Sequence, residues 1–93
     1  MLFRSELMWD LPPDSKIADV NYFEVCAIMV TLNTQGHQFG RWVKIVETKP
    51  TKLPMVYKIR SFLSKTASLQ NFVVRAIGNN GQPGPYVSPA AIS

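Results

Sequence analysis

An antiparallel β-sandwich is the fold class this sequence predicts, and three observations predict it. Apolar side chains recur every second residue and not at helical spacing. Short alternating runs are separated by Pro, Gly and Asn clusters that the chain needs for turns. No segment carries a helical stripe, so strands alone must build the core. A small barrel is the competing architecture.

The first strand takes Phe3, Leu7, Trp9 and Leu11 on one side, with Arg4, Glu6, Met8 and Asp10 on the other. Pro12-Pro13-Asp14 ends it, because neither proline can donate to a ladder. A second strand spans about Val20 to Leu32. Burying an unpaired carboxylate is costly, so Glu24 faces out and Phe23, Val25 and Ala27 face in. Asn33, Gly36 and Gly40 mark a loop, and Arg41 to Val46 reads as a third strand carrying Trp42.

Thr48 to Pro54 holds two prolines and is expected to cross between sheets, which favours the sandwich over the barrel. Met55 to Ser61 alternates again, with Met55, Tyr57 and Ile59 opposite Val56, Lys58 and Arg60. Ser64 to Ser68 is polar and reads as a loop. Gln70 to Ile77 is the clearest strand, with Phe72, Val74 and Ala76 inward. Gly78-Asn79-Asn80-Gly81 supplies the positive-φ tolerance of a hairpin turn. Tyr86-Val87 is a short last strand, and residues 90–93 are expected to be a frayed tail.

The chain has 93 residues, 46% of them hydrophobic and 17% charged, which excludes a disordered composition. One domain of this size buries roughly 60–65% of the surface of its unfolded form, so its core is adequate but small. No apolar run approaches the roughly 20 residues of a membrane helix. The N-terminus shows no secretory pattern. The single Cys26 cannot form an internal disulfide, which points to a reducing, intracellular setting.

Charge is uneven. Residues 1–40 carry two basic against five acidic side chains, net −3, and residues 41–93 carry eight against one, net +7. A basic half attracts acidic partners or nucleic acid. Strand lysines that discourage edge pairing explain the same excess, and nucleic acid is disfavoured because exposed aromatics are not densely interleaved with the cations.

No catalytic constellation is present, so the chain is read as a non-enzyme with no cofactor, no metal and no small-molecule substrate. His37 is the lone histidine and sits in a Gly/Gln loop, without a second ligand or a triad partner. Cys26 lies mid-strand on the outward face, with no neighbouring base to activate it. Asp10 and Asp14 flank a turn and fall short of a calcium cage. Gly78, Gly81 and Gly84 do not open a helix and hold no phosphate. Trp9 belongs to the core. Trp42 is expected to pack against the neighbouring sheet, with a half-exposed binding role as the alternative.

The run Phe72-Val73-Val74-Arg75-Ala76-Ile77-Gly78 through Gly81-Gln82-Pro83-Gly84-Pro85-Tyr86-Val87-Ser88-Pro89 resembles the F strand, turn and G strand of a fibronectin type III domain. Leu7-Met8-Trp9 before Pro12-Pro13 resembles the family's B strand, and Phe23 and Val25 resemble the inward pair of its C strand. The resemblance implies an immunoglobulin-like sandwich over residues 1–89, strands B to G, without strand A. Strand B would then be an open edge that a partner's strand or a second copy can join. The family's corner tyrosine is replaced by Gln70 or Asn71, and the loop Leu63 to Leu69 is longer than the family's.

A narrower resemblance lies in Arg41-Trp42-Val43-Lys44-Ile45-Val46-Glu47-Thr48-Lys49 followed by Lys52-Leu53-Pro54-Met55. This order is similar to the C-terminal fibronectin module of the activating transcription factor 7-interacting protein / Windei family. That resemblance implies a non-catalytic adaptor in the nucleus. It would support heterochromatin and gene silencing by a SET-domain histone lysine-9 methyltransferase, docking transcription or chromatin regulators such as a methyl-CpG-binding protein. The methyltransferase itself binds a different region in that family. The expected partner surface is Arg41, Trp42, Lys44, Lys49, Lys52 and Lys58, receiving an acidic, partly disordered segment. A generic adhesion or receptor module and a basic-patch nucleic-acid binder are the alternatives. No membrane contact is expected.

Overall fold

A computed structural model describes residues 2–91. Its strands run β1 (Leu2–Trp9), β2 (Val20–Leu32), β3 (Gln38–Thr48), β4 (Met55–Phe62), β5 (Ala67–Gly78) and β6 (Ala90–Ala91). The first sheet has the order β4-β1-β6 and the second β3-β2-β5, and every pairing is antiparallel. This is the predicted β-sandwich. A single 3-10 turn, Ile17–Asp19, interrupts the connection after β1 and carries no helical stripe that the sequence could reveal.

The alternation read from the sequence fixes which faces meet. Leu7, Trp9, Met55 and Ile59 of the first sheet close on Phe23, Val25 and Val74 of the second. Leu7, Phe23, Val25 and Val74 are at most 1% exposed, so the sandwich centre is dry. Trp9 meets Phe23 edge-on, ring centroids 5.6 Å apart, and Phe3 meets Phe72 at 5.9 Å. The segment between β3 and β4 crosses from one sheet to the other, as its prolines predict, and contains a cis Leu53–Pro54 bond.

Four elements differ from expectation. β3 runs from Gln38, and Gly40 lies within it opposite Val30. A Cβ on Gly40 would come within 3.1 Å of Ile28 Cγ2, so the glycine serves close packing on the sheet face and not a turn. The turn is confined to Asn33–His37, where Asn33 Oδ1 accepts from the N–H groups of Gln35 and His37. β5 begins at Ala67, so the loop before it is only residues 63–66, shorter than expected. Ala67 is buried and Ser68 pairs with Val30, so sheet pairing overrides the polar composition there.

The last difference concerns the chain's end. Tyr86-Val87 forms no extended strand; Val87 makes one two-way bridge with Val74, N···O 2.8 and 2.9 Å. The chain then changes sheets. Ala90 pairs with Met8 and Ala91 with Leu7, so the expected frayed tail is a strand at these two residues. Residues 92 and 93 lie outside the described residues. The flank of β1 expected to be open is therefore covered at Leu7 and Met8. Among the described residues, Leu2–Glu6 have no partner strand on that flank.

Candidate functional site

The outer face of the second sheet carries the exposed aromatics Trp42 and Tyr86 beside two ion pairs, Lys44–Glu47 and Arg75–Glu24. Two β-bulges set it up. Between β2 and β3 the register steps from Val25↔Val46 to Cys26↔Lys44, leaving Ile45 as the extra residue. Without that step Lys44 and Glu47 would fall on opposite faces. With it both face outward, and Lys44 Nζ donates to Glu47 Oε1 at 2.6 Å. That bond, and then the charge of Glu47, raises the Lys44 pKa. Between β2 and β5 the register steps from Cys26↔Val73 to Ile28↔Gln70. Asn71 occupies this bulge at φ 55°, a left-handed backbone that asparagine tolerates.

The face is built across three strands. Ile28 stands opposite Trp42, Cys26 opposite both Lys44 and Val73, and Glu24 opposite both Glu47 and Arg75. Glu24 accepts from Arg75 Nε at 3.0 Å, so each of the two facing carboxylates has its own cation. The Arg75 guanidinium lies 4.8 Å over the Tyr86 ring. Cys26, Trp42, Val73 and Tyr86 enclose an apolar depression of about 440 Å³. Cys26 forms its floor, and burial, followed by the charge of Glu24, pushes the thiol above its ordinary 9.0.

Trp42 is 59% exposed and Tyr86 51%. Trp42 stands opposite Ile28 on the outward face, where it lines the depression with Cys26 and Val73 of its own sheet, which corrects the expectation that it packs against the neighbouring sheet. Nothing in the sequence ranked Tyr86 as a surface residue. The signal was its place among Pro83, Pro85 and Pro89, which prevents a regular strand from burying it.

The six residues expected to form one partner surface are divided. Trp42 and Lys44 share the outer face of the second sheet. Arg41 stands opposite Met29, on the other side of β3. Lys49 and Lys52 lie on the crossing segment, where Lys49 Nζ donates to Asn21 Oδ1 at 3.3 Å. Lys58 belongs to the first sheet, opposite Glu6. A single flat patch of all six does not exist.

Among the described residues no group of three or more His, Cys, Asp or Glu side chains is placed to hold a metal ion. His37 is exposed, and its backbone N–H closes the Asn33 turn. Trp9 Nε1 is buried and has no hydrogen-bond partner among the described residues.

The family model for the fibronectin-III type domain matches residues 4–91. The chain belongs to the fibronectin type III family. No curated protein and no solved structure matches it significantly. Fibronectin type III domains are generally non-catalytic, and membership marks this domain as a generic protein-interaction module. The segment from Pro83 to Ala91 runs first along β5 and then beside β1.

Proposed function

We propose that this fibronectin type III domain is a protein-docking module of a nuclear transcriptional co-regulator, and that it docks partners on the outer face of its second sheet. The observation that carries the reading is the depression between Trp42 and Tyr86. Exposed aromatics around an apolar floor, rimmed by paired charges, have the composition of an interaction hot spot. Its Trp42, Lys44 and Glu47 are also the residues of the Trp-x-Lys-Ile-x-Glu run that resembles the activating transcription factor 7-interacting protein / Windei modules. That resemblance supplies the nuclear setting, the link to histone lysine-9 methylation and heterochromatin silencing, and the class of partner, a chromatin regulator such as a methyl-CpG-binding protein.

The partner segment is proposed to be extended and acidic, laying an apolar side chain between Trp42 and Tyr86 while its carboxylates approach Lys44, Lys49 and Lys52. Arg41 and Lys58 lie on other faces and drop out of this surface. Affinity capture from nuclear extract tests the reading, with Trp42→Ala/Lys44→Glu and Lys58→Glu forms beside the natural chain. Identified chromatin-silencing proteins retained by the natural and Lys58→Glu forms, and lost from the double variant, are the expected result. Retention of only nucleic acid or chaperones contradicts the nuclear assignment, and equal retention by all three forms contradicts the site.

A further inference from the structure

The outer face of the first sheet carries an arrangement that the docking surface above does not use. Its register sets Leu2 opposite Phe62, Arg4 opposite Arg60, Glu6 opposite Lys58 and Met8 opposite Val56. All eight belong to the outward parity, because Leu7, Trp9, Met55 and Ile59 fill the core between the sheets. The ladder therefore reads apolar, basic, mixed, apolar along the strands. Like charges directly opposite on one sheet face destabilise the pair unless something neutralises them. Among the described residues the ion pairs are Lys44–Glu47 and Arg75–Glu24, and neither reaches Arg4 or Arg60.

We infer that the Arg4–Arg60 pair is a binding site for a phosphomonoester on an extended segment of a partner protein. Arg4, Ser5, Glu6, Lys58, Ile59 and Arg60 line a depression of about 320 Å³ at this point. Three cations against one carboxylate leave an excess of two positive charges. A phosphomonoester carries about −1.5 to −2 at neutral pH, which matches the excess, whereas one carboxylate leaves it half compensated. Opposed residues on neighbouring strands have Cβ atoms about 4.5–5.5 Å apart, so two guanidinium forks can converge on one tetrahedral group.

The apolar neighbours decide between a peptide and a nucleic acid. Leu2 and Phe62 lie two residues from the arginine pair, about 7 Å along the strands, and Met8 and Val56 lie four residues away on the other side, about 13 Å. Phe62 is 84% exposed and Val56 47%. A nucleic-acid backbone needs a continuing track of cations, and this ladder turns apolar at both ends. An extended peptide with apolar side chains two residues to one side of its phosphate and four to the other meets every rung.

The test uses a nine-residue, threonine-rich peptide with phosphoserine at its fourth position and leucines two residues before and four residues after it. Its serine and glutamate forms and a short duplex DNA are the comparison probes, and binding is followed by amide chemical shifts and fluorescence anisotropy. The expected result is at least ~10-fold tighter binding of the phosphoserine form than of the other two peptides, centred on β1 and β4. Arg4→Gln and Arg60→Gln should each remove about 10-fold of that affinity, while Lys16→Gln, with the same change in net charge elsewhere, leaves it unchanged. These three substitutions are at exposed positions, and unchanged melting curves will confirm that each variant folds. Equal binding of the glutamate form, tighter binding of the duplex at the same arginines, or equal loss from Lys16→Gln overturns the inference.

Discussion

Glu24 on β2 accepts a hydrogen bond from Arg75 Nε on β5 at 3.0 Å, and the same guanidinium lies 4.8 Å over Tyr86. One arginine thereby neutralises a carboxylate that is only 12% exposed and holds one wall of the docking depression in place. Arg75→Ala should lower stability by about 1–2 kcal/mol, allowing for partial solvent screening of the arginine. In a domain of this size that is a fall in Tm of about 4–16 °C. Tyr86 should also gain mobility, seen as ring-proton line narrowing, whereas Lys44→Ala should change Tm little because its ion pair lies at the surface, where solvent screens it.

Cys26 gives a prediction in pH. Its folded thiol is raised above its ordinary value of 9.0 by burial and by Glu24, so the folded state resists losing this proton more than the unfolded state does. The stabilisation is intact below about pH 9 and is lost as pH rises through the folded value. Melting curves of the natural chain and of Cys26→Ala should thus keep a constant offset from pH 6 to 8 and converge or cross at higher pH. Thiol–disulfide exchange with a disulfide reagent at pH 8, in which the thiolate forms a mixed disulfide and displaces the reagent's other sulfur, should run at least ~10-fold slower than with the unfolded chain.

Asn71 sits at φ 55° in the β5 bulge. Asn71→Gly should be within about 0.5 kcal/mol of the natural chain, and Asn71→Val should cost about 1–3 kcal/mol, because a β-branched side chain resists a left-handed backbone. Chemical denaturation measures both. Equal costs for the two would show that the bulge is not held at a positive φ in solution.

Trp42 and Phe23 separate binding from folding. Phe23 is 1% exposed at the sandwich centre, and Phe23→Ala should cost about 3–5 kcal/mol, a large share of a small domain's total. Trp42→Ala, at 59% exposure, should change stability by about 1 kcal/mol or less while abolishing partner retention.

The core was legible because alternation is local. Glu24 alone set the register of β2 once an unpaired buried carboxylate was excluded, and Val25 followed; Val74 came from the alternation of its own strand. What escaped depends on partners distant in sequence. Gly40 looks like a turn residue until it is placed beside Ile28, where an added Cβ would come within 3.1 Å of Ile28 Cγ2. Ala67 and Ser68 look like loop until Thr31 and Val30 pair with them. Ala90 and Ala91 carry no strand signal and pair only because β1 has a free flank. The candidate site was half legible: Trp42 and Lys44 were found, but Ile45's bulge, which puts Lys44 and Glu47 on one face, and Tyr86 opposite Trp42 need the folded sheet. Lys58 failed because charge bookkeeping along the chain says nothing about which sheet a residue joins.

The most direct test of the docking face is amide hydrogen exchange on the domain with and without a partner identified by capture. The account predicts slowed exchange confined to β2, β3 and the segment around Tyr86, on the outer face of the second sheet, and loss of that protection in Trp42→Ala. Protection confined to β1 and β4, with Trp42→Ala binding normally, would contradict it.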